Sequence, residues 1–258
     1  MMKFTRAIVR PPCARFADGL TSAGLGKPDL ATALQQHTAY CATLERCGLA
    51  LTRLPADEEF PDSTFVEDPA VLTANLAVLT HPGAPSRQGE VAGIAAALTP
   101  FYSRIARIES PGTVDGGDIC QADDHFFIGL SERTNTEGAR QLAEILTSDG
   151  FTSSVLDIRN ASTVLHLKTG MSYLDDRRIV AMQEIAAHPA FEKYDVIRVA
   201  PAESYAANLL CINDYVILAD GFPQIAAAVR DAGYAIVPLN LSEFRKMDGS
   251  LSCLSLRF

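Results

Sequence analysis

Residues 117–130, GDICQADDHFFIGL, decide the fold. Two short apolar runs stand on either side of Asp123-Asp124, and Asx residues tolerate the left-handed backbone that a tight hairpin turn demands. The arrangement recurs at residues 70–81 (AVLTANLAVLTH, around Ala74-Asn75), 171–182 (MSYLDDRRIVAM, around Asp175-Asp176) and 209–219 (LLCINDYVILA, around Asn213-Asp214). Self-similarity of this kind marks a ring or an array, and missing it would misread the whole chain. Helical segments follow three of the hairpins, at residues 87–98, 134–149 and 223–231; the second places Ala139, Leu142, Ala143, Ile145 and Leu146 on one face. After the hairpin at 171–182 the helix must be short or broken, because Pro189 interrupts residues 183–194. Another strand then follows each helix, near residues 105–108, 151–158, 196–199 and 234–239. The unit is ββαβ.

A fifth unit exists only if the ends of the chain are joined. The final strand at 254–258 would pair with the opening strand at 4–9, followed by a helix over 28–47 and a strand over 49–54. In that helix Pro28 marks the start, Gly48 the stop, and Leu30, Leu34, His37, Cys41 and Leu44 face inward. Five units closed by the two termini leave no exposed sheet edge, and their loops at one end converge on a common axis. One α/β domain over residues 1–258 is expected.

Composition narrows the function. With 258 residues, 48% hydrophobic, the chain is globular and has ample core. No run reaches the length of a signal peptide or membrane span, so a cytoplasmic protein without membrane contact is expected. Six cysteines without a CxxC pair, and five histidines without ligand spacing, point to reduced thiols and no metal. A net charge of -9 disfavours nucleic acid and suits a small cationic substrate.

Four loops carry candidate chemistry. The C-terminal stretch 246–258, KMDGSLSCLSLRF, sets Cys253 beside a turn at the mouth of the last strand. A free cysteine alone is usually a small buried hydrophobe, so only partners elsewhere make it a nucleophile. Residues 60–69, FPDSTFVEDP, offer Asp62, Glu67 and Asp68, and paired carboxylates hold a planar guanidinium fork best. They could equally be solvated acids. In 111–119, PGTVDGGDI, Asp115 precedes two glycines that serve a turn or a close backbone approach. In 162–170, STVLHLKTG, His166 lies between leucines on an expected strand, where a core histidine and a general base are both plausible readings.

Taken together, FPDSTFVEDP, PGTVDGGDI, LHLKTG, PAESYAAN and KMDGSLSCLSLRF resemble the motifs of the dimethylarginine dimethylaminohydrolases, guanidine-modifying enzymes built on a fivefold α/β-propeller. The likeness runs nearly end to end. It implies Cys253 as nucleophile, His166 as general acid and base, and Asp115 as their carboxylate partner; bacterial relatives can carry glutamate there and animal members aspartate. It further implies Asp68 as guanidinium ligand with Asp62 and Glu67 in the same substrate loop, and Arg87 and Arg133 on the substrate α-carboxylate. Leu20 and Met247 would meet the amino-acid end through backbone, and residues 18–28, DGLTSAGLGKP, would form a flexible lid. The implied substrate is a methylated arginine, with citrulline and an alkylamine as products and no cofactor. A homodimer is compatible with the sequence. The alternatives are an arginine deiminase or amidinotransferase of the same fold, a non-enzymatic propeller used as a binding module, and a cysteine peptidase.

Overall fold

The computed structural model describes residues 3–161 and 164–258. Met1 and Met2 at the start of the chain, and Ser162 and Thr163 at the head of the His166 segment, lie outside the described residues.

In chain order the elements are β1 (Arg6–Val9), α1 (Leu30–Arg46) and β2 (Ala50–Arg53); β3 (Ala70–Leu72), β4 (Ala77–Leu79), α2 (Glu90–Leu98) and β5 (Ile105–Arg107); β6 (Ile119–Ala122), β7 (His125–Leu130), α3 (Thr136–Ser148) and β8 (Thr152–Asp157). There follow α4 (Leu167–Gly170), β9 (Met171–Tyr173), β10 (Arg178–Met182), α5 (Gln183–Ala186) and β11 (Asp195–Val199); β12 (Leu210–Ile212), β13 (Tyr215–Ala219), α6 (Pro223–Asp231) and β14 (Ala235–Leu239); and α7 (Ser242–Arg245) and β15 (Leu256–Arg257). The strands form five three-stranded sheets, β15-β1-β2, β3-β4-β5, β6-β7-β8, β9-β10-β11 and β12-β13-β14. In each, the middle strand runs antiparallel to the first and parallel to the third. The first strands are inner neighbours of one another, β15 beside β3, β6 beside β9 and β9 beside β12.

Closure follows the expected route. Ala7 opposes Arg257 and Ile8 opposes Leu256, and Phe258 O accepts from the amides of Thr5 and Arg6. Three hairpins turn on left-handed Asx residues, Asp123 (φ 54), Asp176 (φ 46) and Asn213 (φ 52). The turn at Ala74-Asn75 is held differently: Thr73 Oγ1 accepts from Asn75 N at 3.3 Å and Leu76 N at 3.0 Å, so a hydroxyl replaces the Asx geometry. Middle strands are the driest, as Ile8, Val78, Phe127, Val180 and Ile217 show with no exposure at all. Each such side chain stabilises the ring by about 1.5–3 kcal/mol relative to solvent.

Three local expectations are corrected. Leu34 is 40% exposed, because the buried stripe of α1 runs through Ala33, His37, Tyr40 and Leu44, and Leu34 lies one residue, about 100°, off its centre. Pro28 stands before the helix, whose N-cap is Asp29, accepting from Thr32 N at 2.8 Å. His166 is not on a strand but is the N-cap residue of α4. Among the described residues no helix is long and apolar enough to cross a membrane.

Candidate active site

Each unit contributes one loop immediately before its innermost strand. Asp68 precedes β3, Asp115 precedes β6, His166 precedes β9, Asn208 precedes β12 and Cys253 precedes β15. The fivefold arrangement therefore turns five distant positions into neighbours.

Three of them form a buried cluster: ligand atoms of Asp68, Asp115 and His166 lie within 4.8 Å of one another. His166 Nε2 donates to Asp115 Oδ2 at 3.1 Å. The two glycines between the acids are there for close approach, since a Cβ on Gly117 would stand 2.8 Å from the His166 ring, and one on Gly116 would stand 2.1 Å from Glu67 O. Burial opposes charging of the His166 ring, but Asp68, Asp118 and Asp115 outweigh it and raise its pKa to about 9. The surrounding carboxylates thus favour the imidazolium form.

Asp68 is prepared as a partly open acceptor. Oδ1 accepts from Gly117 N at 2.9 Å, and Oδ2 accepts from Arg87 Nη1. A carboxylate has about four lone-pair sites, so each oxygen keeps capacity for another donor. Burial works against its charge, yet Arg87, His166 and the Gly117 amide hold it at about 2. That cluster could be mistaken for a metal site, but Asp68 already carries a guanidinium.

Cys253 is half-buried on a 3-10 turn, Ser252–Leu254, just before the closing strand. Burial, with the negative charges of Glu67 and Asp68, pushes its thiol up to about 12. Asn208 clamps the turn: its Oδ1 accepts from Ser252 N at 3.0 Å and its Nδ2 donates to Ser252 Oγ at 2.9 Å and Lys168 O at 2.8 Å. Tyr40, wholly buried on α1, adds a hydroxyl on Leu251 O at 2.9 Å.

The remaining expected residues separate. Glu67 is engaged within the fold: Oε1 accepts from Lys168 Nζ at 2.6 Å and Arg257 Nη2 at 3.1 Å, and Oε2 accepts from Ser252 Oγ at 2.7 Å. Arg87 is also occupied, with Nε and Nη2 forked onto Glu90 at 3.0 and 2.7 Å, Nη2 on Phe65 O at 3.1 Å and Nη1 on Asp68. In this structure it braces Asp68. Arg133 makes no side-chain ion pair among the described residues and lies near enough to Asp62 to favour its charge. Asp62 is buried and accepts from Leu20 N at 3.1 Å, and burial raises its pKa despite Arg87. Leu20 is exposed, whereas the Met247 side chain is buried in the core. Residues 18–28 are tied to Asp248, which accepts from Ser22 N at 2.5 Å and Ser22 Oγ at 3.0 Å. Ser22 and Leu25 of this segment line a cavity of about 530 Å³ with Ser131, Leu165, Asn208 and Ser250; Cys253, His166, Asp68 and Asp115 are not part of its lining.

Asn208, Lys168, Glu90 and Asp118 were not singled out from sequence. Asn208 had a usable signal, being the residue before the innermost strand of the one unit left without a site residue.

A fivefold propeller whose axial loops bring together a thiol, an imidazole and buried carboxylates is the architecture of the guanidine-modifying enzymes of the pentein class. An arginine deiminase family model matches residues 93–204. The N(G),N(G)-dimethylarginine dimethylaminohydrolase of Pseudomonas aeruginosa is 46% identical over 99% of this chain and 100% of its own, and that of Streptomyces coelicolor is 33% identical over 99% and 98%. A solved structure of the Pseudomonas enzyme, a cysteine-to-serine mutant complexed with citrulline, superposes with a TM-score of 0.97 at 45% identity and full coverage of both chains. The chain belongs to the dimethylarginine dimethylaminohydrolase family.

Proposed function

We propose that this protein hydrolyses Nω-methylated L-arginine, asymmetric dimethylarginine and monomethylarginine, to L-citrulline and the alkylamine through a covalent intermediate on Cys253. The observation that carries it is the pairing of a buried imidazolium, His166 on Asp115, with a carboxylate, Asp68, that keeps open acceptor sites. Asp68 receives the substrate guanidinium and holds its carbon against sulfur, as a delocalised cation requires close positioning to react. Arg133 takes the α-carboxylate, and Asp62 with the Leu20 backbone takes the amino end.

In the empty site the thiol is protonated, because burial and the charges of Glu67 and Asp68 disfavour thiolate. A bound guanidinium reverses that balance by placing positive charge beside the sulfur, and the thiol proton passes to solvent. The thiolate then attacks the guanidinium carbon, and as the carbon–nitrogen bond breaks His166 gives its proton to the leaving dimethylamine. The neutral ring next takes a proton from water as that water attacks the S-alkylthiouronium carbon. Collapse of the tetrahedral adduct breaks the carbon–sulfur bond, its hydroxyl proton returns to the sulfur, and citrulline is released with the thiol restored. All six cysteines are free thiols, in keeping with a cytoplasmic enzyme acting as one catalytic domain.

The test is citrulline release from monomethylarginine, asymmetric dimethylarginine and arginine, with wild type and Cys253→Ala side by side. Turnover of the methylated substrates, lost in the variant, is expected. If arginine is the best substrate, the deiminase reading replaces this one.

A further inference from the structure

Asp118, the second acid of the DGGD run, is fully buried and touches no cationic side chain among the described residues. Three donors converge on it: Leu167 N on Oδ1 at 3.0 Å, and Ser131 Oγ and Thr134 Oγ1 on Oδ2 at 2.6 and 2.7 Å. A carboxyl group that meets only donors is held as the carboxylate, which accepts and does not donate. The network continues outward. Thr134 Oγ1 accepts from Asp115 N at 3.1 Å, and Ser131 Oγ accepts from Arg133 N at 2.9 Å and Thr134 N at 3.1 Å. One side chain thus fastens the loop of Asp115, the loop of Arg133 and the residue after His166.

Resting on the reading of His166 as the proton carrier, we propose that Asp118 is a positioning residue: it locks three site loops in register and supplies a fixed counter-charge to the His166 imidazolium. The other charged groups around that ring are Asp115 on its Nε2, Asp68 with Arg87 behind it, and, from its own helix, Lys168, which is spent on Glu67. Burial raises Asp118 to about 6 against the pull of His166, Ser131, Thr134 and Leu167, and His166 stands at about 9. Between those values the opposite charges coexist.

The test titrates His166 by NMR in substrate-free protein, its signal assigned by loss in His166→Gln. In Asp118→Asn the midpoint is expected to fall by about one pH unit, the effect of losing a nearby opposite charge. Thr134→Val, which keeps the charge and removes the two bonds of the Thr134 hydroxyl, should leave it within about 0.3 unit by the same reasoning. The alkaline limb of kcat for methylarginine should move with the midpoint. A folded Asp118→Asn with the wild-type midpoint overturns the proposal. Should that variant not fold, the reciprocal measurement decides: the Asp118 carboxyl midpoint must rise in His166→Gln, and an unchanged midpoint overturns the proposal equally. Neither titration depends on which guanidine is the substrate.

Discussion

Glu67 and Asp68 are consecutive in sequence, equally buried and opposite in use. Glu67 is the more fully spent, with two cations on Oε1 and a hydroxyl on Oε2, and those partners come from β15, α4 and the Cys253 turn. Asp68 carries one guanidinium and one amide and keeps acceptor capacity toward the His166 cluster. A peptide backbone sends adjacent side chains to different sides, so one acid became a structural pin of the axis while its neighbour, the proposed receptor for a cation, faces the His166 cluster. Burial does not distinguish them; unspent hydrogen-bonding capacity does.

Four experiments press on that contrast, beginning with the thiol both acids face. Cys253→Ala should lower kcat by roughly 10⁴-fold or more while leaving thermal unfolding near wild type, since a half-buried thiol contributes little packing. Asp68→Asn should cost about 10³-fold in kcat/KM, the scale of losing a directed electrostatic contact, with a modest stability loss because Arg87 keeps its fork on Glu90. Glu67→Gln should show the reverse emphasis. It strands Lys168 and Arg257, so urea unfolding should reveal a loss of about 3 kcal/mol, the usual result of breaking one side of a buried pair. Equal stability losses for Asp68→Asn and Glu67→Gln would break the contrast. The smallest effect belongs to the Asp248 tie: Asp248→Ala removes hydrogen bonds to Ser22 in an exposed setting and should raise KM by about threefold.

The pH dependence sharpens the same point. His166 has a folded-state pKa of about 9 against 6.5 in the unfolded chain, so the folded protein binds the proton more tightly. That contribution, about 3 kcal/mol, is fully present below pH 6.5 and is lost as pH rises through 9. Urea midpoints measured across that window should fall in wild type and fall less in His166→Gln.

Much of this was legible in the residues. Hairpins flagged by Asp123, Asp176 and Asn213 recur because a two-residue turn with a left-handed member has few chemical solutions, and the count of five follows once the termini pair. The loops holding Cys253, His166, Asp115 and Asp68 could likewise be named, since each precedes an inner strand of the ring. Leu34 was misread because helical periodicity locates a face only to about one residue, and Tyr40 proved to be the centre of that face. His166 was misread as a strand residue because a four-residue helix leaves no periodic signal.

Repeats, turns and the residue types of the candidate loops are local properties, written in spacing and residue type, and they are readable along the chain. Partner choice is not local. Arg87 braces Asp68 through Glu90, Glu67 pins Lys168 and Arg257, and Asp118 gathers Ser131, Thr134 and Leu167, across separations as large as 190 residues in the Glu67–Arg257 pair. Whether a buried carboxylate is spent or open depends on which donors the closed ring brings within about 3 Å, the range over which hydrogen bonds act.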